Sequence, residues 1–160
     1  MSDRLAYDDD YLRRVLAGAR TIAVVGASSK PLRASHRVMA YLQSRGYRTI
    51  PVNPYEVGRK IHGEKVYPGL ADVPPPVDLV DVFRRSGAVG GVVADVLAAK
   101  DRLAVRAIWM QLGVRDDAAA GRAAAAGLAV VMDRCPMIEY PRLFGAAHLS
   151  SIAAGDAAQS

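Results

Sequence analysis

Cys135 is the only cysteine in the chain. A lone thiol can build neither an intrachain disulfide nor a cysteine metal cluster. His36, His62 and His148 lie far apart in sequence without ligand spacing, which argues against a metal site. No apolar run reaches the roughly 18 residues that a membrane-spanning helix needs, so no membrane partner is expected. The N-terminus carries Asp3, Asp8, Asp9 and Asp10 and lacks the basic-then-apolar order of a secretory signal, so a cytoplasmic protein is expected. The net charge is +5, but neither a Lys/Arg block nor an aromatic RNA-binding motif is present, so no nucleic-acid partner is expected. The basic balance then has two readings, solvated basic faces or attraction for a small anionic ligand.

What is present is a chain of 160 residues, 51% hydrophobic, sized for a single globular core. Its centre is Thr21 to Pro31, TIAVVGASSKP. Thr21 to Val25 reads as a buried strand, Gly26-Ala27-Ser28-Ser29-Lys30 as a turn of small residues, and Ser35 to Arg45 as a helix capped by Ser35. Strand, small-residue turn and helix open a doubly wound α/β domain. Small residues let backbone N–H groups approach an anion, and the helix directs its positive end at the same place. Lys30, Arg33 and Arg37 add positive charge nearby.

The remaining pattern alternates strand and helix. Residues 8–20 form a capped helix with Leu12, Val15 and Leu16 as its apolar stripe. Tyr47 to Val52 is a second strand, which Pro51 should make irregular or end early. A charged, glycine-containing loop follows, then a short extra strand at Glu64 to Tyr67 and a helical turn at Ala71 to Val73. Leu79 to Phe83 is the third main strand, with Arg84 and Arg85 at its end. The next helix spans Ala88 to Lys100, where Gly90-Gly91 implies close packing or a late helix start. Ala107 to Met110, an Ala-rich helix begun by Asp116 or Asp117, and Leu128 to Met132 complete the series. Ala123 to Ala126 suits a helix lying close to the sheet. A last helical turn is expected within 137–144. The expected fold is a Rossmann-like, doubly wound α/β domain with about five mainly parallel strands and helices on both faces. The expected layout is an N-terminal helical segment at 1–19, the main domain at 20–144 and a flexible tail at 145–160.

In such a sheet the ligand lies beyond the carboxyl ends of the strands. The polar segments Gly26 to Lys30, Asn53-Pro54, Phe83-Arg84-Arg85, Trp109 to Gly113 and Asp133 to Cys135 all fall there. The dinucleotide fingerprint G-x-G-x-x-G is absent, and Asn53-Pro54 stands where an acidic ribose reader is wanted, which counts against NAD. No P-loop occurs, which counts against ATP hydrolysis.

VVGASSKP, YLQSRGYRTIPVNP, VDLVDVFRR, IWMQLGV and VVMDRCP follow one another in this order. Together they resemble the small stand-alone CoA-binding proteins, which are similar to the N-terminal CoA-binding domain of the succinyl-CoA synthetase α subunit. The resemblance covers about residues 20 to 143 and implies a Rossmann-like CoA-binding fold. It implies that Gly26, Ala27, Ser28, Ser29 and Lys30 meet the CoA phosphates. It places Val52, Asn53 and Pro54 along the nucleotide, and Phe83 and Arg84 beside the pantetheine. Members often carry Arg-Pro-Ser where Arg33-Ala34-Ser35 stands here, and Ser in place of Gly69.

The phosphates of CoA call for cations, and Lys30, Arg33, Arg37, Arg84 and Arg85 are candidates. Trp109 and Gln111 have two readings, sheet-end packing for both or Trp109 as core with Gln111 turned to the ligand, and Cys135 reads as a small buried residue. No base, nucleophile or metal set is evident, so the expected function is non-catalytic binding of CoA or an acyl-CoA, with regulation through a protein partner in view. Two alternatives stay open. One is a small nucleotide- or CoA-dependent enzyme using Asp133 or Cys135. The other is a partner-regulating module that has lost the ligand.

Overall fold

The computed structural model describes residues 5–152. Residues 1–4 of the N-terminal segment and 153–160 of the tail lie outside it. In chain order the elements are α1 (Asp9–Ala17), β1 (Thr21–Val25), α2 (Ala34–Ser44) and β2 (Arg48–Val52). A short hairpin follows, β3 (Lys60–Ile61) and β4 (Glu64–Lys65). Then come β5 (Leu79–Val82), α3 (Val89–Leu103), β6 (Ala107–Met110), α4 (Asp117–Ala125), β7 (Ala129–Val131) and α5 (Pro136–Phe144).

Five strands pair in parallel in the order β2-β1-β5-β6-β7. Chain direction reverses its march across the sheet between β1 and β5, which makes their carboxyl ends the switch point. The strands are buried on both sides, and alternate residues feed two cores. Ala23, Val80, Val82, Ile108 and Met110 pack with α3 and α4. Ile22, Val24, Leu79 and Trp109 pack with α1, α2 and α5. The architecture is the expected Rossmann-like α/β sandwich.

The local differences from expectation have physical causes. Ser35 does not cap α2: Arg33 holds the N-cap position with no side-chain hydrogen bond, and Ser35 Oγ instead accepts the Ser28 N–H at 3.0 Å. Pro51 sits in a regular β2, because β2 is an edge strand and Pro51 faces the outer side, where its carbonyl accepts from the Tyr67 N–H at 3.0 Å. Its missing donor therefore costs no ladder bond. The extra strand becomes the β3–β4 hairpin, and Tyr67 bridges to Val52 on that same outer side.

Helix α3 begins at Val89, ahead of Gly90-Gly91, so the pair marks no late start. It marks no close packing either, since a Cβ at Gly91 would meet nothing within 4 Å and one at Gly90 only Arg122 at 3.5 Å. In α4 the alanines against the sheet are Ala119, Ala120 and Ala123, because helical phase turns Ala124 and Ala125 to solvent. Asp116 is the cap, accepting the Ala119 N–H at 3.0 Å. Helix α5 is a full nine residues started by Pro136, which is preset for a first helical turn. Beyond it, Leu149 is buried and its N–H donates to the Arg45 carbonyl at 2.7 Å, so the chain remains packed at that point.

The outer border of β7 is bonded by tyrosines from the N-terminal segment. The Tyr11 hydroxyl donates to the Val130 carbonyl at 2.7 Å and accepts the Val130 N–H at 2.8 Å, while Tyr7 accepts the Met132 N–H at 2.8 Å.

Two residues test this architecture. Gly26 has φ +89°, and a Cβ there would lie 2.3 Å from the Phe83 carbonyl oxygen. Gly26→Ala therefore combines left-handed strain with a backbone clash and is expected to cost about 2–4 kcal/mol in urea unfolding. Asp81 lies fully buried in β5 with both carboxyl oxygens lacking a hydrogen-bond partner among the described residues. Burial pushes its carboxyl well above the usual value of 3.8, which favours the protonated form. The unfolded chain releases that proton at its ordinary value, so stability is fully present below it and drains away as pH rises toward the folded value. Asp81→Asn removes the proton exchange. It is expected to unfold at higher urea than the parent at pH 7, with the difference shrinking by pH 4.

Candidate functional site: the crevice at the strand switch point

The carboxyl ends of β1, β2 and β5 are knitted together at Gly26. Its N–H donates to the Val52 carbonyl at 2.9 Å, while the Phe83 N–H donates to the Val25 carbonyl at 2.8 Å. Asn53 continues the link, with Nδ2 donating to the Ala27 carbonyl at 2.8 Å and Oδ1 accepting the Tyr55 N–H at 2.9 Å. These bonds hold the turn after β1 against the loop after β2.

Two adjoining cavities open above this junction, of about 380 and 560 Å³. They share Gly26, Asn53, Tyr55 and Phe83. The first is bounded by apolar Val25, Val52, Pro54, Leu70 and Val92, with Arg84 and Asp95 at its polar side. The second is bounded by Ser28, Lys30, Arg33 and Glu56 and by Ala34 and Ser35 of the first turn of α2. Helix α2 has no side-chain cap, and its first turn presents the positive end of the helix dipole to this cavity. One half of the crevice thus suits an apolar chain and the other an anion.

Most of the residues singled out from the sequence meet here: Gly26, Ser28, Lys30, Val52, Asn53, Pro54, Phe83 and Arg84 all line the crevice. Five others do not. Ala27 is buried beneath the turn. Ser29 turns its hydroxyl to Glu56, donating to Oε2 at 2.8 Å. Arg37 folds back to donate to the Leu32 carbonyl at 2.8 Å. Arg85 is exposed and precedes the short turn of helix at Ser86–Ala88. Gln111 is 6% exposed, and its Oε1 has no partner among the described residues. Trp109 is core, its indole N–H donating to the Arg134 carbonyl at 2.8 Å. Cys135 is buried.

Tyr55, Glu56, Gly69, Leu70 and Asp95 line the crevice without having been singled out for it. Tyr55 is 92% exposed and borders both cavities. Glu56 carries no signal in the sequence; it reaches the crevice through its bond to Ser29, which only the folded chain brings near.

Several known proteins resemble this chain in sequence and fold. An uncharacterized protein of Bacillus subtilis, YneT, is 35% identical over 129 residues, covering 81% of this chain and 91% of that one. The protein ID.343 of Thermus thermophilus superposes with a TM-score of 0.80 at 41% identity, covering 86% of this chain and 100% of that one. A dinucleotide-forming acetyl-coenzyme A synthetase of Ca. Korarchaeum cryptofilum, in complex with phosphate and ADP, superposes with a TM-score of 0.61 at 27% identity. There the match covers 76% of this chain and 27% of that one. Residues 20–141, the whole sheet and its crevice, match the CoA binding domain, and the chain belongs to that family.

Proposed function

We propose that the crevice binds CoA or an acyl-CoA and holds it without transforming it. The observation that carries this reading is the division of one continuous crevice into an anion-binding half and an apolar half at the switch point of the sheet. CoA has the same division, phosphates at one end and a long pantetheine arm at the other. Lys30, Arg33 and the open first turn of α2 suit the phosphates, and Val52, Pro54, Leu70, Phe83 and Val92 suit the arm. Arg84 stands where the arm or its amides would pass. The succinyl-CoA synthetase resemblance supports the same ligand. A cytoplasmic protein fits the single buried thiol, and among the described residues no helix is long and apolar enough to cross a membrane.

Calorimetric titration of the folded protein with CoA, acetyl-CoA, NAD and ATP tests the reading. Selective heat with CoA or acetyl-CoA is expected, with Lys30→Ala and Arg84→Ala each weakening it about tenfold through loss of a charge-assisted contact. A folded sample giving no heat with either thioester or thiol would overturn it.

A further inference from the structure

The apolar half of the crevice carries two opposite charges that do not meet. Arg84, from the segment after β5, and Asp95, from α3, both border the cavity of about 380 Å³. Among the described residues neither side chain has a hydrogen-bond or ion-pair partner, and the two form no ion pair with each other. Helical phase brings Asp95 there. It lies one turn beyond Val92, whose buried side chain borders the same cavity. Arg102, which shares an adjoining groove with Asp95, is engaged elsewhere. Its guanidinium donates to the Leu70 and Val73 carbonyls at 2.8 Å and to the Ala71 carbonyl at 3.1 Å. Arg84 and Asp95 are both exposed, so water serves them while the crevice is empty.

A ligand that displaces this water must replace its hydrogen bonds. A phosphate at this point would be repelled by Asp95, and a hydrocarbon would leave both charges unmatched. A neutral planar group with an acceptor and an N–H donor side by side serves both, its acceptor toward Arg84 and its N–H toward Asp95. CoA carries such groups in two places, the amides of the pantetheine arm and the amine-bearing edge of adenine. We infer that Asp95 is a specificity-determining residue of the crevice, accepting a hydrogen bond from an N–H of the bound ligand opposite Arg84. This rests on the CoA reading above and deepens it, by assigning a carboxylate to the recognition of a neutral part of an anionic ligand.

Calorimetric titration of the full chain with CoA, in the parent and in Asp95→Asn and Asp95→Ala, tests the assignment. Thermal unfolding of each variant establishes that it is folded. Asp95→Ala raises the net charge of +5 by one. A carboxylate that merely stood near the anionic ligand would therefore leave CoA affinity unchanged or tighten it on removal. A carboxylate that accepts the ligand N–H gives the opposite result: about tenfold weaker CoA binding in Asp95→Ala, and a smaller loss in Asp95→Asn, whose amide oxygen still accepts. Titration of the same proteins with a CoA analogue carrying hypoxanthine in place of adenine locates the donor. The loss in Asp95→Ala disappears with the analogue if the adenine amine is the donor, and persists if an arm amide is. Unchanged or tighter CoA binding by folded Asp95→Ala would overturn the role of Asp95 and leave the CoA reading standing. A folded parent that binds no CoA overturns both.

Discussion

The absence of a side chain at Gly26 is the constraint on which the site depends. Its backbone takes φ +89° and lets the Phe83 carbonyl come within a distance that no Cβ would permit. That approach brings the ends of β1 and β5 together, and the Gly26 N–H ties the same point to β2. The two cavities lie over this junction and share Gly26 between them. The helix that follows is aimed by the same turn, since Ser28 bonds Ser35 in its first coil. A single residue type thus sets the distance between strands, the direction of α2 and the floor of the crevice.

The main strands were legible because burial on both faces demands short runs of Val, Ile and Leu, and these stand out between turn residues. Thr21–Val25 and Ala107–Met110 coincide with their apolar runs. The errors came where tertiary position decides. Whether Pro51 breaks a strand depends on whether that strand has a second neighbour, and no local pattern reveals that β2 is an edge. Ser35 looks like a cap in isolation, yet the turn before it supplies an N–H that its hydroxyl can satisfy.

The crevice was legible in part for the same reason. Residues at strand ends, such as Asn53 and Phe83, point to a shared place once the sheet is known to be parallel. Arg37 and Arg85 belong to the same segments, but the path of the chain after a turn and the phase of a helix fix where their side chains go. Tyr55, Glu56 and Leu70 reach the crevice because the loop after β2 folds back, held by Asn53 and by Tyr67 on Pro51. That return is a property of the assembled fold. Its result is a wall of mixed sign, in which Lys30, Arg33 and an anchored Glu56 line the same cavity.

Both borders of the sheet are engaged within the chain. At one, the Tyr7 and Tyr11 hydroxyls take up the exposed groups of β7; at the other, Tyr67 occupies the carbonyl of Pro51 and the amide of Asn53. An open border is a template on which a foreign strand can lengthen a sheet, leading to recognition by strand addition or to fibrous aggregation. Here that route is obstructed at both margins by phenol hydroxyls and a proline.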